Sequence, residues 1–241
     1  MTLKRIALFL LTLSSAATSC DKDEYSALNE KGEFTLPKLP YQYGYLQPQY
    51  WSQLLYYHHV KVHQQLIDQL NSYISTNSTY TSLTLTDLLI QYGTTDSNIS
   101  RYAGGHYNHS LLWWILLNSR CGSSDEPNDN LGLDIESQYG SFSNFQTDFS
   151  NAAKNLFGSG WVWACVKSGS IQIKTNSDES SPLAGGDCYP FLGIDVWEHA
   201  YYFYYEWDRE EYIDSWWEII DWNMVEMFYE DYALEGKAVS V

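Results

Sequence analysis

Across residues 52–74, Leu54, Leu55, His58, Val62, Leu66 and Leu70 recur at helical spacing. That spacing lays His58, Val62 and Leu66 along one face of a helix and puts His59 and His63 on the neighbouring face. One helix aims only one of the adjacent His58 and His59 at a given point. A polar loop rich in Thr and Ser follows, then a short helix over 83–92. Residues 100–110 lead into the apolar run 111–117, a second helix with His106 and His109 in its early turns. Residues 122–130 are rich in Gly, Ser, Asp and Pro and read as a loop at a boundary. A polar-faced helix is predicted over 139–157. Beyond it the period shortens. Residues 158–167 begin an apolar strand, Ser168-Gly169-Ser170 form a turn, Ile171-Gln172-Ile173-Lys174 an alternating strand, and 191–195 a third strand. The tail, 209–229, returns to helical spacing through Tyr212, Trp216, Ile219, Ile220 and Trp222.

Composition supports a packed protein. Of 241 residues 44% are hydrophobic and 17% aromatic, with 21 Tyr and 10 Trp, enough to bury a core. The net charge of −17 excludes the usual nucleic-acid partners and repels acidic membranes, and no basic run offsets it. Residues 1–17 have the form of a secretory signal: Lys4 and Arg5, an apolar stretch over 6–13 too short to span a bilayer, then Ser15-Ala16-Ala17. A secreted or extracytoplasmic protein is expected, with a mitochondrial presequence or a retained anchor as the alternatives. Residues 18–34 read as a polar leader. Cys20, Cys121, Cys165 and Cys188 allow three pairings and contain no Cys-x-x-Cys zinc motif, and Cys165 reads as a small buried residue in a strand. Asn77 and Asn98 lie in glycosylation sequons.

The chemistry concentrates in residues 190–202, where an apolar run ends in Asp195 and an imidazole follows at His199. A carboxylate and a neutral imidazole at the end of a buried strand suit a first-row transition metal. The full string Asp195-Val196-Trp197-Glu198-His199-Ala200-Tyr201-Tyr202 closely resembles the C-terminal signature of the iron/manganese superoxide dismutase family. Leu36-Pro37-Lys38-Leu39-Pro40-Tyr41, the pattern His-His-x-Lys-x-His at 58–63, Gly104-Gly105-His106-Tyr107-Asn108-His109-Ser110 and Gly158-Ser159-Gly160-Trp161-Val162-Trp163 are similar to further motifs of that family, in the same order.

The resemblance implies an α+β fold: an N-terminal helical hairpin domain over 35–121, then a C-terminal α/β domain over 122–241 with a three-stranded antiparallel sheet and a metal ion between them. It implies His58, His109, Asp195 and His199 as ligands of one Mn or Fe ion, Mn favoured, and the dismutation of superoxide to dioxygen and hydrogen peroxide. Trp113, Trp161 and Trp197 match the aromatic wall of the family site. Glu198, His199 and Tyr202 match its homodimer interface, and Lys61 and Arg209 its basic funnel.

The chain also departs from the pattern. Leu66 stands where the family has a tyrosine, and Val62 where it has a gateway histidine. Counting back from Ser181-Pro182-Leu183 puts Glu179 at the glutamine that contacts the family's metal-bound solvent, and a slip of one residue puts Asp178 there. The iron branch's glutamine position holds Gly105. His63 is left as a relay candidate beside Glu179, Trp161 and Tyr202. Two readings follow: a dismutase with altered proton delivery, and a metal-retaining structural or binding protein of the same fold with weak or no turnover. A non-haem iron oxygenase uses two histidines and one carboxylate, and the fourth protein ligand argues against it.

Overall fold

The computed structural model describes residues 31–116 and 125–241. The signal segment 1–17, the leader up to residue 30, Cys20, Cys121 and the boundary at 121/122 lie outside the described residues. The last residue of the supposed leader is in the core. Phe34 is buried, and its backbone exchanges two hydrogen bonds with the Asn71 side chain, each 2.8 Å long.

The stretch at 52–74 is helical throughout but not uniform. α1 (Ser52–Tyr57) runs into a π-helical turn (His58–His63) and then α2 (Gln64–Ile74). The wider turn falls on the imidazoles, as such turns often do at functional sites. α3 (Leu85–Tyr92) starts on a capping box between Thr84 and Asp87. A second π turn (Ile99–Ala103) feeds α4 (Gly104–Ile115), buried on nearly every side. Such a helix has no polar face to show solvent, hence its apolar run.

The helix expected over 139–157 is two helices. α5 (Asn130–Tyr139) ends at Gly140, whose φ of 82° only glycine adopts cheaply, and α6 (Phe142–Asn155) restarts on Ser141, whose hydroxyl accepts from the Asn144 amide. α5 takes over the end of the supposed loop at 122–130. Its buried stripe is only Leu131 and Ile135, a pattern too thin to find by period.

β1 (Gly160–Lys167) is central in an antiparallel sheet of order β2-β1-β3, with β2 (Ser170–Ser177) and β3 (Tyr189–Asp195) flanking it. Both faces of β1 are buried, which explains its continuous apolar run. Two cross-strand pairs matter for the site. Trp161 lies opposite Asp195, and Trp163 lies opposite Gly193. The Trp163 ring occupies the space of a Cβ at Gly193, 2.1 Å from where one would sit. Trp161 and Trp163 then stack with ring centroids 5.4 Å apart. Cys165 is buried as expected but is not a lone thiol. It forms a disulfide with Cys188, beside the register shift between β1 and β3.

After β3 come α7 (Glu198–Tyr205), α8 (Arg209–Trp217) and α9 (Trp222–Phe228). The tail expected as one helical stretch over 209–229 breaks at residues 218–221, where Ile220 bridges to Leu116 and Asp221 caps α9 by accepting from the Asn223 and Met224 amides. The result is the expected α+β arrangement, helices first and then a domain built on a three-stranded antiparallel sheet. Among the described residues no helix is long and apolar enough to cross a membrane.

Candidate metal centre

Four side chains from four elements converge. His58 comes from the π turn after α1, His109 from α4, Asp195 from the end of β3 and His199 from the first turn of α7. One donor atom from each lies within 4.8 Å of all the others. Asp195 Oδ2 is the hub: 3.0 Å from His58 Nε2, 3.0 Å from His199 Nε2 and 3.7 Å from His109 Nε2. His58, His109 and Asp195 are shut off from solvent, while His199 keeps a partly exposed ring.

The ring nitrogens facing away from the cluster are held. Tyr50 Oη is 2.7 Å from His58 Nδ1, and His109 Nδ1 donates to the Gly105 carbonyl at 2.7 Å. Tyr212 Oη donates to the Asp195 backbone carbonyl at 2.9 Å, and the Trp197 amide donates to Asp195 Oδ1 at 2.8 Å. The inward atoms His58 Nε2 and His109 Nε2 have no hydrogen-bond partner, although both are buried; the 3.0 Å approach of His58 to Asp195 lacks hydrogen-bond geometry. Buried polar atoms are rarely left so. Two orphaned lone pairs aimed at the same point as a carboxylate fit a bound cation.

Electrostatics agree. Burial pulls His58 down to about 4 and also lowers His109, so both imidazoles are neutral at pH 7, the form that binds metal. Burial alone would raise Asp195, but His199 and His58 outweigh it and hold the carboxyl below its usual range.

Around this cluster stand the three expected tryptophans. Trp113 packs edge-on to His58 at 4.9 Å, Trp161 edge-on to His109 at 5.0 Å, and Trp197 stacks on His199 at 5.4 Å. Glu179, not Asp178, faces the ligands. It is 3% exposed, accepts from Trp161 Nε1 at 3.0 Å and lies 4.0 Å from His109 Nδ1. Burial, followed by the nearby Asp195, pushes its carboxyl up. Asn108 Nδ2 pins its backbone by donating to the Glu179 carbonyl at 3.2 Å. Gly105 sits under the same carboxylate: a Cβ there would come 2.8 Å from Leu66 Cδ1 and 3.2 Å from Glu179 Oε2. A side chain at that position would have to displace the ends of Leu66 and Glu179, and in this chain the site acid comes from the loop after β2.

Other expected site residues lie further off. His63 is fully buried behind the cluster, taking a hydrogen bond from Trp113 Nε1 at 3.0 Å and lying 2.8 Å from His106 Nδ1 through Nε2. Lys61 and Glu198 are exposed. Tyr202 is also exposed on α7. The Arg209 guanidinium is engaged with the Leu156 and Gly158 carbonyls and the Tyr201 hydroxyl. A cavity of about 220 Å³ opens beside the cluster, walled by Val62, Leu66, Arg101, Glu179, Trp197 and His199. Arg101, Tyr50 and Tyr212 are the residues that sequence reasoning missed. Tyr50 lies 8 residues from His58 and Tyr212 lies 17 from Asp195, but each contact crosses between elements, which no spacing within one element shows.

This fold and this cluster define a mononuclear metal protein with a three-histidine, one-carboxylate site. Family models match in both halves: the α-hairpin domain of iron/manganese superoxide dismutases over residues 33–117 and their C-terminal domain over 127–228. The manganese superoxide dismutase of Listeria monocytogenes is 36% identical over 194 residues, covering 79% of this chain and 94% of its own. That of Buchnera aphidicola is 35% identical, covering 79% and 95%. The Mn/Fe superoxide dismutase 2 of Staphylococcus aureus is 34% identical, covering 82% and 98%. The chain belongs to the iron/manganese superoxide dismutase family.

Proposed function

We propose that the protein is an extracytoplasmic superoxide dismutase working at one Mn or Fe ion, Mn favoured, with a proton supply of its own kind. The observation that carries this is the convergence of His58, His109, Asp195 and His199 with two orphaned imidazole nitrogens aimed inward. An ion held there supplies a one-electron couple, oxidising one superoxide to dioxygen and reducing another to peroxide. The balance is two superoxide anions and two protons giving dioxygen and hydrogen peroxide.

The protein's own part is holding, excluding and delivering. Tyr50 and the Gly105 carbonyl fix the imidazole orientations, which sets ligand basicity. Trp113, Trp161 and Trp197 exclude water from three sides and lower the local dielectric. The substrate approaches through the cavity. Its wall carries Val62 and Leu66, neither of which can donate a proton. Glu179 is the carboxyl nearest the ligands and takes over the part of a polar gate.

The preference for Mn rests on the loop origin of Glu179, which the family resemblance associates with the manganese branch, and on the relatives' names. Secretion rests on the signal-like segment 1–17 and on the Cys165–Cys188 disulfide, a bond that persists in oxidising compartments. A homodimer through Glu198, His199 and Tyr202 rests on the family resemblance, on the exposure of Glu198 and Tyr202 along α7 and on the partly exposed His199 ring, and sedimentation checks it.

The test is metal analysis of purified protein together with a superoxide-decay assay, in the wild type and in His109→Ala. Activity that tracks bound Mn or Fe and disappears with His109 supports the reading. A fully metallated wild type that leaves superoxide decay at the blank rate refutes it. It would favour the second reading, a metal clasp with little turnover, which the apolar Val62 and Leu66 wall already supports. Leu66→Tyr distinguishes degrees between these: turnover at saturating superoxide should rise roughly ten-fold or more if proton delivery limits the rate. No rise in a fully loaded variant counts against a proton-limited cycle.

A further inference from the structure

The mouth of the cavity has an unexpected cation. Lys61 and Arg209, the basic residues expected to gather the anionic substrate, do not wall the cavity, and Arg209 spends its guanidinium on two carbonyls and a tyrosine hydroxyl. Arg101 does wall it. It belongs to the π turn that leads into α4, and it lines the cavity together with Gln65 and Gln69 of α2 and with His199. Its side chain is exposed. The Val62 and Leu66 walls of the cavity are apolar, so they offer no charge or hydrogen-bond donor that competes for an incoming anion.

We infer that Arg101 is the docking residue for small monovalent anions at this mouth, the guanidinium and the Gln65 and Gln69 amides holding superoxide before it reaches the ligand cluster. The inference rests on the dismutase reading for the identity of the anion, and on the cavity alone for the class of ligand. Three features support it. A guanidinium keeps its charge at every working pH and presents several donors at once. The surrounding chain is strongly acidic, with a net charge of −17, so capture of an anion needs a local positive field at the entrance. The cavity that Arg101 walls also holds His199 and Glu179, so an anion at the guanidinium is already beside the ligands, and the same guanidinium acts on the Glu179 carboxyl against its burial.

That last point gives Arg101 a competing role, offsetting Glu179 without touching the substrate, and the experiment separates the two. Azide is titrated into the metal-loaded protein and read from the absorption of the centre, in the wild type, Arg101→Ala, Arg101→Lys, Glu179→Gln and the Arg101→Ala/Glu179→Gln double variant. Superoxide capture is followed in parallel at roughly 10 to 200 mM salt, across which the screening length shrinks about four-fold. Docking predicts that Arg101→Ala weakens azide by roughly three- to ten-fold and flattens the salt dependence of capture, that Arg101→Lys keeps most of both, and that the loss persists in the Glu179→Gln background. Unchanged azide affinity in Arg101→Ala overturns the inference. So does a loss that vanishes once Glu179 is neutral, because Arg101 would then act only on that carboxylate. Azide binding that depends on Arg101 in a protein with no superoxide turnover supports anion docking and sinks only the dismutase reading.

Discussion

Stripping the ion should cost the fold a definite amount. The four ligands come from four elements on both sides of the molecule, so the ion ties the early helices to the late sheet. In its absence His58 Nε2 and His109 Nε2 are buried without partners. An unsatisfied buried polar atom costs about 1–3 kcal/mol, so the pair accounts for about 2–6 kcal/mol that binding returns. Mass action gives a matching figure: a free ion at about 1,000 times its dissociation constant stabilises the folded state by about 4 kcal/mol. For a chain of this size about 4 kcal/mol corresponds to a melting shift of roughly 8–16 °C. Urea and thermal unfolding of loaded and chelator-stripped protein, followed by re-addition of Mn(II), would measure it. The loaded form should unfold later, and the shift should grow with the logarithm of ion concentration. Coincident curves for loaded and stripped protein would refute the reasoning, since an ion bound by these four groups cannot leave stability unchanged.

Tyr50→Phe removes the hydroxyl 2.7 Å from His58 Nδ1 and should weaken metal binding roughly 10- to 100-fold, read by competition with a chromogenic chelator; unchanged affinity would show that this contact does not orient the ligand. The stripped protein should lose stability in acid. Burial lowers His58 from 6.5 to about 4 and His106 from 6.5 to about 3, so below pH 6.5 the unfolded chain takes up protons that the folded one refuses. Each imidazole then subtracts about 2 kcal/mol between pH 6.5 and pH 5, and flat urea midpoints over that range would contradict it. Replacing Cys165 and Cys188 together with alanine should cost about 3 kcal/mol, from a closed loop with a sequence separation of 23, measured by urea unfolding with and without reductant; an equally stable variant would mean that the sheet pairing alone holds β3 in place.

How far the chain's own order of residues carries is clear at particular positions. The helical period over 52–74 put His58, Val62 and Leu66 on one face, and all three do meet at the site, because side-chain direction along a helix follows from spacing alone. The three strands were legible because both faces of β1 are buried and the run is continuous. The motifs located the four ligands without geometry. Local reading failed where single residues stop and restart a helix: Gly140 and Ser141 divided one expected helix into α5 and α6, and Asp221 divided the tail.

Contacts between distant segments were decided only by folding. Whether Asp178 or Glu179 faced the ligands was a matter of one residue of register, and an alternation of side-chain direction makes such a slip reverse the answer. The pairing of Gly160 with Ser177, together with the Trp161 hydrogen bond, resolved it for Glu179. Cys165 found Cys188 because β3 lies beside β1, and Arg101 reached the cavity because the turn before α4 packs on α2. Sequence pattern specifies which way a side chain points from its own element. Which elements face each other is set by burial summed over the whole core, and no short stretch contains that sum.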